Sequence, residues 1–92
     1  MIIYTVVHAH SFGQEHAYTC DLTHFITKKT ALENMRSRFE MCSAGFRERG
    51  ERFDSDIDEW RAYICHFDGM PVDGKPQTPI YDHDWRIIAE EI

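Results

Sequence analysis

No apolar run in this chain reaches ten residues, so no segment is long enough to cross a bilayer as a helix. The start, Met1 to Val7, lacks the basic flank and the small-residue cleavage site of a signal peptide. It reads instead as a first β-strand, and the expectation is a cytoplasmic protein. Cysteine is scarce as well. The three residues Cys20, Cys42 and Cys65 lie more than twenty positions apart, and none belongs to a Cys-x-x-Cys pair. That odd, dispersed set excludes a disulfide framework and a zinc ribbon, and reads as free thiols. Also missing are a phosphate-binding glycine loop, internal repeats and low-complexity segments.

What is present suits one small domain spanning residues 1–92. A hydrophobic share of 42% and an aromatic share of 13% supply a single compact core and are too rich for a disordered chain. The net charge of −6 is unevenly spread. Residues 28–52 hold seven bases and four acids, whereas residues 53–92 hold three bases and ten acids. Only Glu15 and Asp21 are charged before residue 28. Such polarity predicts one basic and one acidic surface.

The periodicities give an element order. Ile3, Thr5 and Val7 alternate with Ile2, Tyr4, Val6 and His8, the pattern of a strand. A turn near Gly13 leads to a second strand from His16 to Leu22, extending toward Phe25. Thr27 is suited to cap a helix, and Leu32, Met35, Phe39, Cys42 and Phe46 recur at spacings of three and four. That stripe predicts a helix from Lys28 to Ser43, stopped by Gly45. Residues 46–58 read as a charged loop. Glu59 to Phe67 reads as an interior strand, with Trp60, Ala62, Ile64 and His66 on one face. Pro71 to Pro79 reads as an extended connection. Residues 84–92 fit either element, but Glu90 and Glu91 would oppose the dipole at a helix C-terminus, which favours strand. The expected fold is α+β, ββαββ, with an antiparallel sheet of about four strands and one main helix on one face. Its core should gather Leu32, Met35, Phe39, Trp60 and Ile64.

Three groups of residues could carry chemistry. His8, His10, His16, Cys20 and His24 could gather metal ligands across the first hairpin, but their spacing matches no compact zinc module. Asp54, Asp56 and Asp58 imitate the opening of a calcium loop, yet Glu59 and Cys65 stand where glycine and a bidentate glutamate are needed. Adjacent strand residues Cys65 and His66 face opposite ways and cannot form a nucleophile–base pair. The expectation is therefore a protein without catalytic residues, metal or other cofactor. Its function should reside in its surface, through Lys28, Lys29, Arg36, Arg47 and Arg49 on one side and Asp54, Asp56 and Asp58 on the other.

The outline resembles the small accessory proteins of bacteriophages, and among them anti-CRISPR proteins that inhibit type I-F surveillance complexes. The segments that carry the resemblance are Ile2 to His8, the run Thr27 to Leu32, and the charged loop before Trp60. It is a resemblance of organisation over the whole length. It implies a non-enzymatic inhibitor that binds a CRISPR–Cas effector complex, contacting Cas proteins and guide RNA and blocking target DNA. It implies neither a membrane nor a small-molecule substrate. Two other classes fit the residues: a small His/Cys metal-binding protein, and a phage structural or assembly module associating through a sheet edge.

Overall fold

The computed structural model describes residues 1–12, 17–67 and 79–92. It contains β1 (Ile2–Phe12), β2 (Ala17–Phe25), α1 (Lys28–Glu48), β3 (Asp54–Ile57), β4 (Arg61–Phe67) and β5 (Pro79–Glu91). The five strands form one antiparallel sheet in the order β2-β1-β5-β4-β3, with α1 laid across one face. The fold is thus α+β as expected, but with a fifth strand. The additional strand, β3, lies inside the segment read as loop. Its sequence, Asp54-Ser55-Asp56-Ile57, carries little strand propensity and is held by pairing with Ala62 to Cys65. The expected turn at Gly13 and most of the 71–79 connection fall outside the described residues.

The helix begins as the sequence indicates. Thr27 is extended (φ −129°, ψ 146°), and its Oγ1 accepts from the Thr30 N–H at 3.2 Å. It does not stop at Gly45. The apolar stripe continues to Phe46, and the end comes at Gly50, whose φ of 67° suits a residue without a Cβ. There the Gly50 N–H donates to the Arg47 carbonyl at 3.0 Å, and the Glu51 N–H donates to the Phe46 carbonyl at 3.1 Å. These two bonds close a Schellman motif and satisfy carbonyls that a helix end leaves open.

Strand β5 occupies the centre of the sheet, paired with β1 along one side and β4 along the other. The competition between strand and helix in 84–92 is thereby decided: β1 pairs with β5 as far as Glu91, and β4 flanks its residues 84–86 from the other side, bonds a helix could not make. Val6, Ile87, Trp85, Ala62 and Ile64 face α1 and enclose Ala31, Met35, Phe39 and Phe46. Leu32 and Cys42 are only half-buried. Trp60 departs from expectation. It is 44% exposed, precedes β4 in a turn, and lies under the Lys28 ammonium, 4.0 Å from the ring centroid. A cation–π contact at the rim replaces the core position that strand alternation suggested.

Candidate functional site

Beside the apolar core, the sheet presents α1 with a cluster of polar aromatic groups. The register pairs His8 with Trp85 and His10 with His83, and opposite His8 on the other side stands Asp21. All lie on the face that bears the helix. The rings of His8, His10, His83 and Trp85 stack with interplanar angles of 5–17° where they neighbour. Between Ile64 and Cys65 the β4–β5 register slips by one. This bulge inserts Asp82, which joins His83 in lining the helix side of the sheet and pairs with His66 Nδ1 at 2.7 Å.

A hydrogen-bonded chain runs through the cluster. Arg38, from α1, holds both carboxylate oxygens of Asp21 at 3.0 Å with Nη2. The same Nη2 lies 2.8 Å from His8 Nδ1, which is 3.0 Å from Asp21 Oδ2. At the other edge of the ring, His8 Nε2 is 2.9 Å from His83 Nδ1. With the His8 proton on Nε2, Nδ1 accepts from Arg38 and Nε2–H donates to His83. With the proton on Nδ1, that N–H donates to Asp21 and Nε2 accepts from His83. Both arrangements keep the imidazole neutral. Burial, above all, lowers the His8 pKa, against the raising effect of Asp21. Burial, reinforced by repulsion from His10, His8 and Arg38, pushes His83 down to about 4. Asp21 is held below the usual carboxylate range by the Arg38 and His8 hydrogen bonds, which outweigh its desolvation.

His83 and His10 border an open cavity of about 350 Å³, further lined by Met41, Cys42, Gly45, Phe46, Arg49 and Asp82. This cavity holds no activated nucleophile among the described residues. Burial raises the Cys42 thiol pKa despite Arg38 and Arg49, which keeps it protonated and weakly nucleophilic at neutral pH. A histidine titrating near 4 is in turn a weak base at pH 7. No group of three His, Cys, Asp or Glu among the described residues is arranged to hold a metal ion. The hairpin set considered from sequence is in fact divided between faces. His8 and His10 face α1, whereas Cys20 (opposite Ala9) and His24 (opposite Thr5) face the other way; His16 lies outside the described residues.

The charged residues expected to form the surface site are dispersed, and several are engaged within the chain. Lys28 pairs with Glu59 at 2.8 Å as well as covering Trp60. Arg49 pairs with Glu51 at 2.7 Å and lies 5.0 Å above the Phe46 ring. Asp58 accepts from the Trp60 and Arg61 N–H groups at 2.7 and 2.8 Å, which builds the turn into β4 and lowers its pKa. The arginine Arg47 is exposed, its guanidinium 5.9 Å from the Phe53 ring centroid. Lys29 and Arg36 are exposed and form no ion pair among the described residues. At 100° per residue, Lys29, Arg36 and Arg47 fall on one line of α1 roughly 27 Å long, interleaved with Glu33 and Glu40. Asp54 and Asp56 are exposed on β3, at an edge of the sheet. The helix's basic line and this acidic edge are separate surfaces.

Sequence reading missed the histidine cluster because His8 and His83 are 75 positions apart and meet only through the β1–β5 register. The local signal was an excess of histidine at alternating positions in β1. Comparison with protein-family models, with curated proteins and with solved structures finds no match.

Proposed function

We propose that this chain is a stoichiometric binding protein that inhibits a type I-F CRISPR–Cas effector complex, docking through separate basic and acidic surfaces. The observation that carries this reading is the division of exposed charge: Lys29, Arg36 and Arg47 along one line of α1, and Asp54 with Asp56 on the β3 edge. An effector complex offers guide RNA phosphates for the former and the basic groove that receives DNA for the latter. Complementarity of this kind speeds encounter and selects partners. The neutral histidines and protonated thiol of the cavity beside α1 support binding over catalysis. The resemblance of outline supplies the identity of the partner.

Purified protein in molar excess is expected to abolish target-DNA binding by a type I-F complex, measured by gel mobility shift, without altering the complex chemically. The double substitution Lys29→Glu, Arg36→Glu should weaken inhibition by about tenfold, as two lost contacts of roughly 0.7 kcal/mol each would give. Exposed changes of this kind shift stability by no more than about 0.5 kcal/mol, so the far-ultraviolet circular dichroism should not change. Undiminished DNA binding by the complex in the presence of excess protein would refute the reading.

A further inference from the structure

The two edges of the sheet are unlike. Strand β3 is four residues long and carries exposed Asp54 and Asp56, a charged and abbreviated edge of the sort that discourages pairing. Strand β2 is nine residues long and pairs with β1 in unbroken register from Tyr4 and Phe25 to Phe12 and Ala17. It contains no proline, lysine or bulge, and its single acid, Asp21, is already held by Arg38 and His8. An edge of this length and neutrality can accept a further strand. Leu22 stands 59% exposed on the face away from α1. Together with Val7 and Ile88 it borders a shallow cavity of about 190 Å³.

We infer that β2 is the association edge for a second copy of this chain, the two β2 strands pairing antiparallel about a two-fold axis at Leu22. Charge selects the edge. A protein of net charge −6 repels its own copy, but β2 belongs to the segment 1–27, which carries only Glu15 and Asp21. The strand order puts Asp54 and Asp56 at the far side of the sheet, so joining at β2 keeps the acidic edges at opposite ends. Joining at β3 would bring them together. The register follows from pairing rules. Directly opposed residues of an antiparallel pair share a face, so the symmetry axis must pass through a residue. An axis at Asp21 would oppose two carboxylates. An axis at Leu22 opposes Asp21 to Thr23 and Cys20 to His24, and sets the exposed leucine against its own copy. Among the described side chains of β2, Leu22 is the exposed aliphatic group, and its symmetry mate is the apolar partner that a two-fold supplies. The interface is independent of the inhibitory reading, since it lies on neither charged surface.

The test is light scattering of the purified chain over a range of concentrations, with the mass expected to reach twice the 10.9 kDa of one chain. Leu22→Lys should return it to one chain's mass with an unchanged circular dichroism spectrum. A second variant, combining Cys20→Ser with Leu22→Cys, should form an intermolecular disulfide under mild oxidation, because opposed Cα atoms lie about 4.5–5.5 Å apart. The unsubstituted chain should not cross-link through Cys20, which sits roughly 14 Å along the strand from its copy. A single-chain mass at every concentration, or a Leu22→Lys protein that remains dimeric, would overturn the association edge. Cross-linking of the unsubstituted chain through Cys20, with none in the Leu22→Cys variant, would overturn the axis.

Discussion

Replacing Trp85 by alanine is expected to lower stability by about 3–5 kcal/mol, the range for deleting a large buried aromatic. Trp85 has no exposed surface and sits on the central strand. Its indole stacks on His8 at 4.6 Å and His83 at 5.1 Å, and meets the edge of Phe39 at 6.1 Å. Its loss would remove the surface on which both the helix and the histidine stack rest. A domain of this size has roughly 5–14 kcal/mol in total, so the variant should be substantially unfolded at 37 °C if it starts near the lower figure. Phe39→Ala should act similarly from the helix side. Trp85→Phe is the control. The indole N–H has no hydrogen-bond partner among the described residues, so phenylalanine forfeits volume alone. Urea denaturation at pH 7.5 measures all three, and a loss below about 1 kcal/mol for Trp85→Ala would show that this ring does not organise the core.

The second large effect is acid lability in a defined window. His83 titrates near 4 in the folded chain, against 6.5 when unfolded, and is 9% exposed. The unfolded chain therefore takes up the proton first. The stability contributed by neutral His83 is present above about pH 6.5 and is lost as pH falls toward 4. Each pH unit of difference is worth about 1.4 kcal/mol, so the full loss approaches roughly 3.5 kcal/mol. His8 is displaced in the same direction and adds to the slope. Asp21, also lowered, keeps its contribution through this window and surrenders it only below the ordinary carboxylate range. Urea midpoints should fall steeply between pH 6.5 and 4.5, and His83→Gln should flatten that dependence. An unchanged slope in the variant would place the acid sensitivity elsewhere.

Local chemistry made much of this structure readable. Thr27 caps a helix because its extended backbone lets Oγ1 reach the Thr30 N–H, a preference that does not depend on the rest of the fold. Met35, Phe39 and Phe46 are buried because three- and four-residue spacing puts them on one side of any helix. The first strands and the Arg61–Phe67 strand were legible from β-branched and aromatic alternation. The split of charge between residues 28–52 and 53–92 needed only counting.

What required the tertiary structure was everything decided by pairing. β3 is a strand because β4 supplies hydrogen bonds to four residues that would not form one alone. Residues 84–91 are extended because β1 pairs with them throughout and β4 with residues 84–86, a demand that no local preference expresses. Trp60 lies outside the core because β4 starts one residue after it: Ala62 and Ile64 keep the inward face that alternation gives, whereas Trp60, in the bend before the strand, lies at the rim under Lys28. The charged surface was only partly legible, since composition cannot distinguish Lys28, engaged by Glu59 and Trp60, from Lys29, which projects into solvent. The histidine stack was least visible. Its members are separated by most of the chain, and a register between the first and last strands sets the distance between their rings.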